Sequence, residues 1–396
     1  MFKRNVLAVS MTLAALCSAQ AAQAAMADIN GGGATLPQPL YQTAGVLTTG
    51  FAPYIGVGSG NGKSAFLNND YTKFVAGVTN KNVHWAGSDS KLSAAELLAY
   101  KTNKQPTWGK LIQVPSVATS VAIPFNKTGT NAVDLSVNQL CGVFSGRLTD
   151  WSQITGAGRT GPITLVYRSE SSGTTELFTR FLNAKCAEAQ PFAVTTTFSS
   201  SYGGGLPSTA VAAAGSQGVM DALNAAQGRI TYMSPDYAAT TLAGLDDATK
   251  VAKVAGVSPA PANVSTAIGQ IPAPTEARAD GSFIDATNQD NWVPVFAATA
   301  SGSATFAYPS SGYPILGFTN LIFSQCYADA TQTTQVRGFF NRHYGSLVNN
   351  DTAINNNRFV PLPANWKKAV RDTFATATSA QGIGNTSVCN AIGRPL

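Results

Sequence analysis

In the stretch YRSESSGTTELFTRFL, residues 167–182, one arginine stands four residues ahead of Ser172-Gly173-Thr174. Ile163, Leu165 and Tyr167 alternate as a strand does, and Glu176, Leu177, Phe178, Phe181 and Leu182 follow a helical pattern. Ser172, Gly173 and Thr174 therefore fall at a helix N-terminus, where free N–H groups and the positive end of the helix dipole favour an anion. The two hydroxyls add donors, and Arg168 adds a planar, permanently charged fork. The plainer reading is a capped surface helix with an ion-paired arginine.

Three more polar turns follow strand-like or apolar segments. GGGATLPQPLYQ, residues 31–42, has three glycines that could aim backbone N–H groups at a ligand, and Pro37 and Pro39 that suit a helix start. Taken alone it reads as a loop with a threonine cap. GVGSGNGKSAFL, residues 56–67, ends like a nucleotide P-loop, but Val57 stands where the first glycine is required, so ATP or GTP binding is not expected. What survives is a glycine-rich turn that can hold an anion, with Ser59 as hydroxyl donor and a helix expected from near Lys63. In VHWAGSDSKLS, residues 83–93, a short strand leads into Ser88-Asp89-Ser90, which reads first as a helix N-cap. Asp89 matters to the anion chemistry only if it faces the same cleft as Arg168.

Turns of this kind need strands feeding helices, and the chain supplies them. Val83–Ala86, Leu111–Val114, Ala118–Pro124, Ile163–Tyr167 and Ile230–Met233 are strand-like. They alternate with helical patterns at Ala94–Tyr100, Thr175–Lys185, Gly218–Ala226, Thr334–Tyr344 and Pro363–Ala375, which argues for α/β architecture. The Pro-, Ala- and Thr-rich stretch 255–290 breaks this rhythm and reads as an inserted surface excursion, ordered in parts.

Lys3 and Arg4, an apolar run from Val6 to Cys17 and the Ala25-Met26-Ala27 site make residues 1–27 a secretory signal peptide, with cleavage expected after Ala27. The apolar run is shorter than the roughly 20 residues of a spanning helix. Removing residues 1–27 takes away Lys3 and Arg4 and lowers the formal charge by two from +6. With 12% charged residues and no basic tract beyond Lys367-Lys368, a nucleic-acid partner is not expected. Cys141, Cys186, Cys326 and Cys389 remain, an even set suited to an oxidising compartment. Of the three connectivities, Cys141–Cys186 with Cys326–Cys389 is preferred because each bridge stays local. No Cys/His spacing suits zinc, and no metal or cofactor is expected.

The mature start DINGGGATLPQPLYQ resembles that of the DING proteins, a group named for those first four residues. GSGNGK, AGSDS, YRSESSGTTELFTRFL, GSQGVMDALNAAQGRITYMSPDYA and YPILGFTNLIF continue the resemblance in order along the mature chain. That group is similar to the phosphate-binding components of high-affinity phosphate ABC importers. The resemblance implies an α/β, two-domain periplasmic-binding-protein (Venus-flytrap) fold of type II, closing on one inorganic phosphate in the interdomain cleft. It implies phosphate-binding roles for Thr35, Leu36, Ser59, Asp89, Arg168, Ser172, Gly173 and Thr174. Many importer components have Asp two residues after the arginine, where this chain has Glu170, which puts its steering of the guanidinium in question.

On the same picture the chain crosses between domains near VPSVATSVAIPF and SSGYPILGFT. One domain then comprises 28–118 with 312–396, and the other 119–311. The expected function is capture of phosphate for import or scavenging, by an exported monomer that is periplasmic or secreted, not membrane-embedded, and able to dock on a phosphate ABC permease. The alternative is a phosphatase, a label borne by some DING relatives. Only His84 and His343 exist for the usual dinuclear metal site, and a metal-free route would need Ser59, Ser172 or Thr174 as nucleophile and Asp89 as base. His84 reads as a packing residue. A surface adhesin lacking the site is the third option, disfavoured by Asp89, Arg168 and Ser172-Gly173-Thr174.

Overall fold

The computed structural model describes residues 29–395 apart from 270, 279, 280 and 303. The expected signal peptide and its cleavage point lie outside the described residues. In chain order the strands are β1 (Gly31–Gly33), β2 (Ile55–Gly56), β3 (Trp85–Ser88), β4 (Leu111–Ser120), β5 (Ile123–Asn126), β6 (Asp134–Leu135) and β7 (Thr164–Arg168). There follow β8 (Val211–Ala213), β9 (Arg229–Ile230), β10 (Val251–Val254), β11 (Val295–Ala297), β12 (Thr305–Ala307), β13 (Leu316–Ser324) and β14 (Val360–Pro361). They form two six-stranded mixed sheets, ordered β14-β4-β13-β3-β1-β2 and β6-β10-β5-β9-β7-β8, with β11 and β12 as a separate parallel pair. This is the α/β, type II periplasmic-binding architecture expected from the sequence.

The glycine run of β1 serves packing. β1 is sandwiched in parallel between β2 and β3. A Cβ on Gly31 would fall 2.1 Å from Trp85 Nε1, and one on Gly33, at φ 136°, would fall 2.1 Å from the Gly87 carbonyl. Trp85 is fully buried, stacked on Phe323 at 5.5 Å and edge-on to Tyr41. Substituting a side chain in β1 would push this aromatic core off the sheet.

β4 lies between β14 and β13 in the first sheet, and every one of its residues is buried. Pro115 lies within it, which is why the sequence reads as two strands with a gap. The structure instead joins Leu111–Val114 to the start of the expected strand Ala118–Pro124, and divides the latter, whose Ile123 and Pro124 fall in β5 of the second sheet. The β4–β13 register shifts between Thr319 and Asn320, passing from Val117 to Pro115, so Ser116 becomes the extra residue of a bulge that accommodates the missing N–H.

The chain leaves β4 at Ser120 and enters β5 at Ile123. It returns through Ile315 into β13. The two crossings run side by side, with Val121 N–H donating to Ile315 O at 2.8 Å and Tyr313 Oη–H donating to Val121 O at 3.0 Å. The excursion 255–290 is more than a surface loop. Its helix Pro261–Ile268 buries Val264, Ala267 and Ile268, and Ile271 O accepts the Trp366 indole N–H of the first-sheet half at 3.0 Å. Spaced apolar residues, weak as a periodic pattern, suffice to anchor it.

The preferred disulfides are both present, Cys141–Cys186 and Cys326–Cys389, with Cα separations of 5.6 and 5.3 Å. Among the described residues no helix is long and apolar enough to cross a membrane. The second bridge closes a 63-residue separation. Replacing both Cys326 and Cys389 by Ser should therefore lower the unfolding free energy by about 2–4 kcal/mol, measured by urea titration. An unchanged midpoint would show that the bridge does not constrain the unfolded chain.

Candidate functional site

Four helix-leading turns converge where the edges of the two sheets meet. From the first-sheet half come the turn after β1, the start of helix Ser59–Asn68 and the end of β3. From the second come the end of β7 and the start of helix Gly173–Lys185. Of the seven predicted residues with side chains, none is more than 7% exposed, and Gly173 is buried as well.

Ser59 opens its helix a turn earlier than expected, because Gly58 at φ 89° makes the entry turn that the reading placed nearer Lys63. Its Oγ accepts the Asp89 N–H at 3.1 Å. Asp89 is not a helix cap. Ser93 caps the next helix, Ala94–Asn103, through a reciprocal pairing with Glu96, so Asp89 is free to face the cleft. Ser172 caps helix Gly173–Lys185 by accepting the Thr175 N–H at 3.2 Å, and its own hydroxyl proton remains available to a ligand.

The two halves touch at Gly173. A Cβ there would lie 2.4 Å from Ser59 Oγ and 2.6 Å from Asp89 Cβ, so only glycine lets the helix end approach this closely. Thr174 Oγ1 donates to Asp89 Oδ2 at 3.2 Å, Gly60 N–H donates to Ser171 O at 3.3 Å, and the hydroxyls of Thr35 and Ser216 meet at 2.9 Å. These bonds join the two halves directly, and the cleft is closed. Leu36 follows Thr35 in its turn, with its side chain in the core.

Arg168 ends β7 almost wholly buried. Glu170 Oε1 accepts from its Nε at 2.7 Å and also from Nη2, and the Nη1 end of the fork has no hydrogen-bond partner among the described residues. The Glu170 carboxylate also accepts the Gly215 N–H at 3.1 Å. The extra methylene relative to Asp thus does not prevent steering, and it carries the carboxylate to a second helix start. The Tyr232 hydroxyl meets both the Arg168 N–H, at 3.4 Å, and the Thr175 hydroxyl, at 2.6 Å.

Burial pushes the Asp89 carboxyl up to about 6; Thr319, Arg168 and Thr174 pull it down, while Glu176 pushes it further up. Thr319 acts at close range although its Oγ1 and Asp89 Oδ1 make no hydrogen bond of ordinary geometry. Arg168 supplies the positive charge beside it.

Both histidines are committed elsewhere. His84 Nδ1 accepts the Asn30 N–H at 3.0 Å, and burial with the Arg394 charge lowers its pKa to about 3. His343 lies between Ser116 and Asn350 in the first-sheet core. Among the described residues no three His, Cys, Asp or Glu side chains are grouped as a metal would require. Sequence reasoning missed Gly215, Ser216 and Tyr232. The GSQG stretch repeats the Gly/Ser-before-helix composition of the other turns, and that signal could have found Gly215 and Ser216; Tyr232 carries none.

A buried acid among oriented donors, closed between two α/β lobes, is an arrangement suited to a small oxyanion in a solute-binding protein. A family model described as a PBP superfamily domain matches residues 18–331. "Alkaline phosphatase L" of Pseudomonas aeruginosa (strain UCBPP-PA14) is 70% identical, with 100% of both chains covered. A "Phosphate-binding protein" from an unknown prokaryotic organism is 67% identical over 93% of this chain and 100% of its own. The solved structure of a high affinity periplasmic phosphate-binding protein (PfluDING) bound with phosphate superposes with a TM-score of 0.89 at 72% identity, covering 93% of this chain and 100% of that one. The chain belongs to the PBP superfamily and, within it, to the DING proteins.

Raising the Asp89 carboxyl from 3.8 to about 6 penalises its charged form in the fold. The penalty is absent below pH 4, grows between pH 4 and 6, and is constant above, where it amounts to roughly 3 kcal/mol. Asp89→Asn should therefore raise the unfolding midpoint of ligand-free protein at pH 8 and leave it nearly unchanged at pH 4. Equal gains at both pH values would contradict this origin.

Proposed function

We propose that this protein is a high-affinity inorganic phosphate receptor whose cleft closes on one phosphate ion. The observation that carries the reading is Asp89, one buried acceptor set among donors, facing Arg168 and the start of helix Gly173–Lys185. The phosphate-bound relative at 72% identity supports it. Thr35, Ser59, Ser172 and Thr174 supply hydroxyls, Leu36 and Gly173 supply backbone N–H groups, and Arg168 neutralises charge through its Nη1 end. A desolvated phosphate needs nearly all its oxygens met by donors. Asp89 then receives the ligand's own proton. Sulfate has none to give at neutral pH and would face a buried carboxylate with nothing to share.

The division into 28–118 with 312–396 and 119–311 is supported by the strand composition of the two sheets, except that β4 carries the first domain on to Ser120, and the 255–290 segment reaches across from the second domain to the first. Both disulfides then lie within domains and leave closure free. We further propose export after cleavage at Ala27 to the periplasm or beyond, a monomeric state, and docking on a phosphate ABC permease. The two disulfides and the family support export.

A phosphomonoesterase is the second reading, favoured by the relative named "Alkaline phosphatase L" and by the Thr174–Asp89 contact, a hydroxyl beside a carboxylate. Against it, the closed cleft buries every predicted site residue and gives the organic half of an ester no exit.

Calorimetry on mature protein freed of ligand should show one phosphate bound per chain and discrimination against sulfate on the order of 10²–10³-fold. Arg168→Ala should weaken phosphate roughly 30-fold to several thousandfold. Asp89→Asn should lose most of the discrimination. Turnover of p-nitrophenyl phosphate that disappears in Arg168→Ala and Thr174→Val would instead establish an active site.

A further inference from the structure

The first sheet places a second hydroxyl behind the acid, on a strand that no polar turn marks. β3 and β13 are antiparallel, with Ile322, Leu321 and Asn320 opposite Ala86, Gly87 and Ser88. One step further along that ladder sets Thr319 opposite Asp89. Directly opposed residues of such a pair have Cβ atoms about 4.5–5.5 Å apart on the same face. Thr319 is wholly buried, and its Oγ1 has no hydrogen-bond partner among the described residues. Asp89 Oδ1 is likewise buried without one, while Oδ2 is taken by Thr174. An unpaired donor and an unpaired charged acceptor thus face each other across one rung.

Leaving both unmade is costly in a buried site, and a hydroxyl can satisfy the carboxylate by a small rotation. Turning the hydroxyl hydrogen about the Cβ–Oγ1 bond moves no heavy atom and needs no added space. The position is held firmly. The β4–β13 bulge is taken up on β4 by Ser116, so β13 stays in register with β3. Asn320 Nδ2 also donates to Ser88 O at 3.1 Å, tying the two strands together beside the acid.

We infer that Thr319 is a positioning residue for ligand selectivity: its hydroxyl donates to Asp89 Oδ1, holding the carboxylate ionised and in one orientation so that it accepts a proton from the bound oxyanion. This rests on the phosphate reading of the cleft and deepens it. Without the hydroxyl, Asp89 takes up a proton more readily, gains an O–H to donate, and no longer rejects an oxyanion that lacks a proton. The other groups facing Asp89 are Arg168, Thr174 and Glu176, the last paired with Arg180 at 2.8 Å, together with the buried phenols of Tyr41 and Tyr54. None of them is altered by a change at Thr319.

The test compares wild type, Thr319→Val, which keeps the shape, and Thr319→Ser, which restores the hydroxyl. Inorganic phosphate and sulfate are titrated into each between pH 5.5 and 8.5. The ligand's own second ionisation is common to all three proteins and cancels in the comparison. In Thr319→Val the acidic limb of the phosphate profile should move up by about one pH unit. Discrimination against sulfate at pH 6 should fall about tenfold, with affinity at pH 8.5 close to wild type and Thr319→Ser close to wild type throughout. A valine profile that overlays wild type, or a serine variant that behaves as valine, overturns the inference while leaving the receptor reading intact. If wild type binds no phosphate, the receptor reading fails by itself. The Asp89 carboxyl followed by ¹³C NMR in ligand-free protein then decides the hydrogen bond alone: titration at higher pH in Thr319→Val supports it, and unchanged titration refutes it.

Discussion

Gly173 lies against Ser59 and Asp89 with no space for a side chain, and this contact governs how the rest of the molecule is arranged. It joins the positive end of a 13-residue helix to a carboxylate carried by the opposite sheet. A buried carboxylate is tolerated only when donors surround it. Beside Thr319 of its own sheet, these include Thr174 and the charge of Arg168, both of which belong to the other half of the molecule. Separating the two halves would take those partners away and return water to the acid, so the state of the cleft and the state of Asp89 are linked.

The scaffold serves that contact. Side-by-side crossings at Val121 and Ile315 leave each sheet intact while joining the halves through two short segments. The stacked aromatics around Trp85 hold β1 and β3 tightly enough that the loops leaving them have fixed directions. Glu170 links Arg168 to the start of helix Gly215–Asn224, and Ser216 on that helix reaches Thr35 across the cleft. One carboxylate thereby couples the guanidinium to an interdomain contact. The 255–290 segment adds another tie, through Trp366 and Ile271, well away from the site.

Much of this was legible in the chain. Strand-then-helix alternation announced an α/β protein, and each of the four polar turns proved to lead out of a strand or into a helix at the cleft. The local disulfide pairing was readable because each bridge stays within one half. Less legible were features set by partners distant in sequence. Pro115 seemed to divide β4, since the bulge that rescues it depends on β13, some 200 residues away. Gly31–Gly33 looked able to aim N–H groups at a ligand, since only the fold shows Trp85 against Gly31 and the Gly87 carbonyl against Gly33. Asp89 looked like a cap, since the better cap, Ser93, wins that role through Glu96.

Residue types and their local periodicity by themselves determined that this chain has exposed helix starts carrying hydroxyls, one well-placed arginine and one candidate acid. These are properties of short segments, decided by backbone propensity and capping within a few residues. Which of these segments face one another was decided only by the tertiary structure. Sheet register and the closeness of the two lobes depend on packing between residues far apart in the chain. The pairing of Thr319 with Asp89 and of Ser216 with Thr35 arises there, as does the burial that makes Asp89 a weaker acid than an exposed aspartate.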